Sequence, residues 1–259
     1  MPSPCNQLAF VNCRLEGLTN NCEPSSYIGL ETLEALEGAR NYHRHLTRLI
    51  MASVGRARRL LDFGAGLGTF AKLLRDRGYA VTCVESHRHL IKRLKNEGFE
   101  TYSSLASIPP GSVEFAYSLN VLEHMEDDES AVAELVTKLS GGGKLFLYLP
   151  AFQCLWTSLD DKIGHHRRYT KARLRRLASS QGLELLSIAY ADSLGFPAAL
   201  FFKFLGNKKG RLTPSGVRFY DRILLPLSAK LDRVLHPFLG KNVWALCRKP
   251  DHVPLPTRP

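Results

Sequence analysis

The chain has 259 residues, a net charge of +11 and 44% hydrophobic residues. That length can bury one sizeable core, so we expect one domain with elaborations. No basic region leads into a long apolar run near the N-terminus, which argues against a secretory signal or a spanning helix there, and we expect a cytoplasmic protein. The six cysteines are scattered, without paired metal-ligand spacing, and we expect no metal centre.

The basic excess is concentrated in the C-terminal part. Residues 1–160 hold 16 Lys and Arg against 18 Asp and Glu, whereas residues 161–259 hold 19 against 6. Such an asymmetry indicates an anionic partner for the second part, and the candidates are a membrane surface, a phosphorylated substrate or nucleic acid.

The order of apolar runs predicts an α/β domain. Residues 1–30 lack sustained periodicity and are interpreted as an irregular arm, and residues 31–53 have apolar side chains at helical spacing. Short apolar runs then alternate with helical patterns, which is typical of a mainly parallel sheet. The predicted strands are 59–63, 80–85, 113–118, 144–149, 183–190 and 242–247, and the predicted helices among them are 70–77, 87–96, 129–139 and 171–180.

A glycine turn, DFGAGLG at 62–68, stands where the first predicted strand meets a helix. Glycine lets the backbone approach a ligand closely, and free helix N–H groups point at that ligand. A dinucleotide fingerprint requires Gly-x-Gly-x-x-Gly, but Thr69 occupies the third position. Glu85 ends the second run, where a carboxylate can accept both ribose hydroxyls. Together these features favour a nucleotide-type cofactor over a mere tight turn.

The segment after the strand at 113–118 carries a third motif, SLNVLEH at 118–124. With the glycine turn and Glu85, it resembles the class I S-adenosylmethionine-dependent methyltransferases over about residues 41–190. The resemblance implies a Rossmann-like, doubly wound, mainly parallel seven-stranded sheet with helices on both faces and a helical insertion before the last strand. The methyltransferase core would then span 31–192, and residues 193–259 would add the insertion and last strand to the same domain.

The resemblance also implies the cofactor, S-adenosylmethionine, and the residues that bind it. The glycine turn would lie against its methionine part and Glu85 would take its ribose hydroxyls. The implied cofactor-binding residues are Tyr42, Asp62, Gly64, Ala65, Gly66, Glu85, Leu119 and Asn120. Tyr42 would belong to a stretch that covers the cofactor, although it could equally be a core aromatic. His124 would either face the substrate or cap the next helix.

A polar segment after the strand at 144–149 contains Asp160 and the sequence GHHRRYT at 164–170. It is similar to a bacterial subgroup of these enzymes, of the methyltransferase type 11/12 kind. Methyl transfer to a hydroxyl requires removal of a proton, which a histidine titrating near neutrality can take. His165 is the candidate base and Asp160 its orienting partner, with Tyr169 in the same catalytic group and Arg168 as a substrate contact. Alternatively, the segment is a solvated helix start capped by Thr170.

Residues 193–240 are rich in Leu, Phe, Pro and basic residues. The apolar stretch at 194–205 is too short to span a bilayer. Apolar side chains then recur at helical spacing, with Arg218, Arg222, Lys230 and Arg233 among them, as in a basic amphipathic helix on an anionic membrane surface. Packing against the sheet and a dimer interface are the alternatives. A membrane contact would make the protein peripheral at the inner membrane face.

The favoured function is methyl transfer from S-adenosylmethionine to a small-molecule or lipid-linked acceptor, at oxygen. A nucleic-acid methyltransferase fits less well, because residues 120–123 lack the paired prolines of amino-methylating enzymes and no RNA-binding module is appended. A non-catalytic, membrane-associated scaffold with this fold stays open, as does the oligomeric state.

Overall fold

The computed structural model describes residues 28–205 and 213–251. Within these ranges one seven-stranded sheet has the order β3-β2-β1-β4-β5-β7-β6. The first five strands are parallel, and β7 runs antiparallel to both β5 and β6. The strands are β1 Arg59–Phe63, β2 Ala80–Val84, β3 Glu100–Tyr102, β4 Val113–Leu119, β5 Leu139–Pro150, β6 Glu184–Ala191 and β7 Asn242–Arg248. The predicted mainly parallel, seven-stranded fold is confirmed.

The central strands are apolar on both faces because helices cover both sides of the sheet. In β4, Phe115 and Tyr117 pack on one side of the sheet with Leu46 and Ile50. Ala116 packs in a separate apolar cluster on the other side. The core therefore lies in two layers divided by β4 and its neighbours. This division explains why β4 has consecutive buried apolar residues, Phe115 to Tyr117, rather than an alternating pattern.

The helices fall on both sides of the sheet and in an insertion before β7. They are α1 Ile28–Glu37, α2 Arg40–Val54, α3 Thr69–Arg75, α4 Arg88–Asn96, α5 Asp128–Lys138, α6 Ser158–Ile163, α7 Lys171–Ser180, α8 Gly195–Leu205, α9 Pro214–Phe219 and α10 Leu225–Leu235. A π-helical turn, Tyr220–Leu224, joins α9 to α10. No helix in the described ranges is both long and apolar enough to cross a membrane.

The predicted single helix at 31–53 is wrong in one respect, since the structure has two helices there. Helix α1 begins at Ile28, inside the predicted arm, and the rest of that arm lies outside the described residues. Gly38 and Ala39 interrupt the helix, and α2 starts at Arg40. The carboxylate of Asp221, in the insertion, accepts the backbone N–H groups of Asn41 and Tyr42 at 3.1 and 2.8 Å. A distant side chain thus caps α2 and fixes its start.

One strand and one strand boundary also differ from the prediction. The short edge strand β3, Glu100–Tyr102, was not predicted, because its three residues are mostly polar and too few to show a period. Strand β5 begins at Leu139 rather than at residue 144, because Leu139 already pairs with Val113 of β4.

Acidic side chains attach the helical insertion to the sheet. Asp232 of α10 accepts the backbone N–H groups of Asp192 and Ser193, each at 2.8 Å, just beyond β6. The hydroxyl of Tyr220 donates to the carboxylate of Asp192. Together with the bonds that Asp221 accepts from the backbone of α2, these bonds attach the insertion to the carboxyl-end region of the sheet.

Asp128, at the start of α5, anchors the polar segment that follows β5. Its buried carboxylate accepts hydrogen bonds from the hydroxyl of Tyr169 at 2.7 Å and from the guanidinium groups of Arg167 at 2.6 Å and Arg173 at 3.2 Å. A buried carboxylate with three donors stabilises only while all partners remain. Asp128 therefore fixes the position of the segment that carries His165.

We predict that Asp128→Ala lowers the free energy of unfolding by about 3 kcal/mol, because it leaves partly buried cations without their counter-charge. The control is Asp127→Ala, which removes the exposed N-cap of α5, a bond from the backbone N–H of Ser130. The loss for Asp127→Ala should be clearly smaller. Urea denaturation measures both, and equal losses would contradict the anchoring role of Asp128.

Candidate functional site

The strand order reverses between β1 and β4 in the middle of the sheet. In open α/β sheets ligands bind beyond the carboxyl ends of the strands at such a point. The glycine turn at 62–68 follows β1, and Asn120 follows β4. The two motifs that sequence assigned to the cofactor therefore lie at the two strand ends that form the switch point.

The glycine turn is fixed between the end of β2 and the segment after β4. The backbone N–H groups of Gly64 and Ala65 both donate to the carbonyl of Val84, at 2.8 and 3.2 Å. Gly64 has a φ of 82°, and a Cβ atom there would lie 2.3 Å from Cγ2 of Val121. Only glycine meets both constraints. Val121, which sequence analysis gave no role, therefore sets how closely the two strand ends approach.

Two backbone groups hold Glu85 at this turn. Its carboxylate accepts the N–H of Gly66 at 2.9 Å and the N–H of His87 at 2.9 Å. Asp62 is buried within β1, and this burial raises the pKa of Asp62 to about 7, with the charge of Glu85 adding to the shift. The acidic pair thus combines Glu85, whose carboxylate is held by backbone groups, with Asp62 in the strand beneath, and both side chains are buried.

The segment after β4 is held from two sides. Asn120 has a φ of 54°, unusual for a residue other than glycine, and its N–H donates to the carbonyl of Tyr148 at 2.8 Å. Its side-chain amide donates to the hydroxyl of Tyr42 of α2 at 3.0 Å. Burial raises the pKa of the Tyr42 hydroxyl. Leu119, the last residue of β4, packs against the core layer that contains α2.

A second polar group is built on α6 and the loop after it. Nδ1 of His165 lies 2.7 Å from the buried carboxylate of Asp160, and Arg168 donates two hydrogen bonds to the same carboxylate at 2.9 and 3.0 Å. Burial alone would raise the pKa of Asp160, but the bonds from His165 and Arg168 outweigh it and hold that pKa well below its usual range. An ionised Asp160 accepts a hydrogen bond from Nδ1 of His165, which turns Nε2 towards Glu123.

Glu123 and His124 face this histidine from the segment after β4. The rings of His124 and His165 meet edge to face, with centroids 4.6 Å apart. Oε1 of Glu123 lies 3.9 Å from Nε2 of His165, and neither carboxylate oxygen of Glu123 accepts a hydrogen bond within the described ranges. Burial raises the pKa of Glu123 to about 8 and lowers that of His124 to about 4. The N-cap of α5 is Asp127 rather than His124.

Two of the residues predicted from the polar segment are engaged within the protein. Tyr169 is fully buried and bonded to Asp128, and Arg168 is bonded to Asp160 and to the carbonyl of Ala151 at 3.1 Å. Thr170 caps α7 by accepting the N–H of Arg173 at 3.2 Å. The segment is therefore a capped helix start and also the support of the His165 group.

Glu123 belongs to the SLNVLEH motif at 118–124 but was not among the predicted site residues. The signal was available, since Glu123 is an acidic residue between Leu122 and Met125, both buried apolar positions. An acidic side chain within a buried apolar stretch indicates a partner or a ligand.

A protein-family model described as a methyltransferase domain matches residues 35–188, more than half of the chain. The chain belongs to this methyltransferase domain family. One relative of this methyltransferase domain is the malonyl-[acyl-carrier protein] O-methyltransferase of Enterobacter lignolyticus (strain SCF1), 27% identical over 151 residues, which is 52% of this chain and 60% of that protein. Another is the ubiquinone biosynthesis O-methyltransferase of Xanthomonas euvesicatoria pv. vesicatoria (strain 85-10), 29% identical over 111 residues, 39% of this chain and 45% of that protein.

The match therefore spans about half of the length of these curated relatives. The fold of this methyltransferase domain is shared with the crystal structure of a SAM dependent methyltransferase from Archaeoglobus fulgidus, with a TM-score of 0.56 and 16% identity over 84% of this chain and 99% of that one. The cofactor is S-adenosylmethionine. The switch point fits it, because the glycine turn packs directly against the segment after β4 and the carboxylate of Glu85 is held at the same turn.

We predict that Gly64→Ala lowers the affinity of the methyltransferase for S-adenosylmethionine by at least about tenfold, or about 1.4 kcal/mol, since the new Cβ atom must displace Val121 or the turn. Gly78→Ala is the matched control. Gly78 has a φ of 86°, so the backbone strain is the same, but no heavy atom lies within 4 Å of its Cβ position. Titration calorimetry should find normal affinity for Gly78→Ala, and a comparable loss in both variants would reject the close-approach argument.

Proposed function

We propose that this protein transfers a methyl group from S-adenosylmethionine to an oxygen atom of a small-molecule or lipid-linked acceptor. One observation carries the proposal: the motif that begins with Asn120 at the cofactor side continues directly into Glu123 and His124, which face His165. The two relatives are both named O-methyltransferases, which supports transfer to oxygen.

The residues around the switch point would hold the cofactor. When bound, S-adenosylmethionine supplies an electrophilic methyl group on a sulfonium. The glycine turn, 62–68, would lie along its methionine part, with Asp62 supporting the turn from below. Glu85 would accept its ribose hydroxyls, exchanging one or both backbone partners for them. The residues on the β4 side that would contact it are Leu119, Asn120 and, from α2, Tyr42.

On the acceptor side, we assign proton removal to the group around His165. Displacement at a hydroxyl requires that the oxygen loses its proton, and a positioned polar group speeds this step. Asp160 holds the proton of the imidazole on Nδ1, so Nε2 is available towards Glu123 and His124. Arg168 fixes Asp160 by two bonds, and Tyr169 fixes the same segment through Asp128, so we assign both a positioning role. His124 would contact the acceptor beside His165.

The exposed surface of the insertion supports a membrane contact through residues 193–240. Large apolar side chains are exposed to solvent on this surface, including Phe201, Phe219 and Phe238, whose exposed fractions are 67%, 60% and 73%. Four basic residues are exposed on the same insertion, Arg218 in α9, Arg222 in the π-helical turn, and Lys230 and Arg233 in α10. Aromatic side chains beside basic ones match an anionic lipid surface, in which rings enter the interface and cations meet headgroups. The protein would then be peripheral at the inner membrane face, close to lipid-linked acceptors.

We predict that His165→Ala lowers methyl transfer by about 100-fold or more, because the acceptor loses its proton-removing group. The affinity for S-adenosylmethionine should stay unchanged, since His165 lies outside the glycine turn. The assay follows labelled methyl from the cofactor into hydroxyl-bearing acceptors of the cell's small-molecule and lipid fractions. His166→Ala, at the exposed neighbouring histidine, serves as control. Cofactor binding with no transfer to either fraction would favour a scaffold and reject the proposed activity.

We predict that the double variant Arg218→Glu and Arg222→Glu weakens binding to anionic vesicles by about tenfold or more, since each basic residue near the surface is worth about 1 kcal/mol. The control reverses Arg88 and Lys92, two exposed residues of α4 with the same spacing. Cosedimentation with phosphatidylglycerol vesicles, and with neutral ones, measures both. If the two double variants bind equally well, the insertion is not the membrane contact.

A further inference from the structure

We propose that Glu123, His124 and His165 bind a divalent transition-metal ion. Each offers one ligand atom, a carboxylate oxygen or a ring nitrogen, and these atoms all lie within 4.8 Å of one another. The ligands come from two segments, one after β4 and one after β5, which are joined by a backbone bond of 2.7 Å from the N–H of His166 to the carbonyl of Glu123. Sequence spacing could not reveal such a site, because it depends on this pairing.

The state of Glu123 is the first argument. Its side chain is fully buried, and both carboxylate oxygens lack a hydrogen-bond partner among the described residues. The guanidinium of Arg168 already donates to Asp160 and to a backbone carbonyl. Burying an ionised carboxylate without partners is costly, so the group keeps its proton unless a cation or donors compensate the charge. A metal ion between Glu123 and the two imidazoles supplies that compensation.

The outer contacts of the two histidines are the second argument. Metal-binding histidines commonly have their other ring nitrogen held by a carboxylate or a carbonyl, which fixes the tautomer and the ring. Nδ1 of His165 is held by Asp160 at 2.7 Å, and Asp160 also accepts the backbone N–H of Thr157 at 2.8 Å. The ring of His165 is therefore oriented from behind by Asp160, and His124 places one ring nitrogen in the space that it shares with His165 and Glu123.

The ligand set indicates which ions fit. Two imidazole nitrogens and one carboxylate suit Zn²⁺ and similar first-row ions, whereas Mg²⁺ and Ca²⁺ prefer oxygen ligands throughout. Three protein ligands also leave a coordination position open, as in catalytic zinc sites. On the proposed function, an acceptor hydroxyl at that position would release its proton to water more readily, and His165 would act in proton removal as a ligand. Ion binding itself does not depend on that function.

The test uses Co²⁺ as a coloured substitute for Zn²⁺ on the full chain after chelator treatment. We expect visible absorption that saturates at one ion per chain and is abolished by Zn²⁺. Glu123→Gln and His124→Ala should each weaken Co²⁺ binding by at least about tenfold, or about 1.4 kcal/mol. His166→Ala removes an exposed histidine next to the site and should leave binding unchanged. Titration with S-adenosylmethionine checks that each variant is folded.

Two results would overturn the site: no saturable uptake of Co²⁺ by the wild-type chain, or uptake that both ligand variants retain. If Glu123→Gln does not fold, His124→Ala and the wild-type spectrum decide. The outcome is separable from that of the proposed function. An ion bound at these residues without methyl transfer supports the site and rejects the function, whereas full transfer by a chain that takes up no ion does the reverse.

Discussion

The contact between Gly64 and Val121 determines how the rest of this site is arranged. No Cβ atom fits between them, so the turn after β1 lies directly against the segment after β4. Because that segment runs from Asn120 to His124, close packing at Val121 fixes the positions of both the Asn120 amide and the pair of Glu123 and His124. The parallel sheet supplies the two strand ends, and the missing side chain allows them to meet.

The two halves of the site differ in how they carry charge. Glu85 is held by backbone N–H groups, an arrangement that a ligand's hydroxyls can replace without leaving an unpaired ion. Asp160 instead is bonded to the side chains of His165 and Arg168, so its charge is used inside the protein to orient other groups. Among the described residues, the carboxylate of Glu123 accepts a hydrogen bond from neither a backbone N–H group nor a side chain, which makes it the least compensated acidic residue of the site. The two halves of the proposed site thus rest on different electrostatics.

Local sequence predicted the parts of this molecule that depend on local chemistry. The glycine turn, the acidic residue after β2 and the motif after β4 are each continuous in sequence, and each lies at the switch point as its strand requires. The break between α1 and α2 was not predictable, because the cap of α2 is Asp221, far along the chain. The same holds for the bond between Tyr169 and Asp128. In both cases the partner is set by tertiary packing, on which periodicity carries no information.

The cap on α2 has a further consequence. Asp221 belongs to the π-helical turn of the insertion, and α2 carries Tyr42, whose hydroxyl is bonded to Asn120. Hydrogen bonds and one helix therefore connect the insertion with Asn120 at the switch point. A shift of the insertion that moves Asp221 would remove the cap that positions Tyr42, and any coupling of this kind to a ligand at the switch point would be the same in both directions.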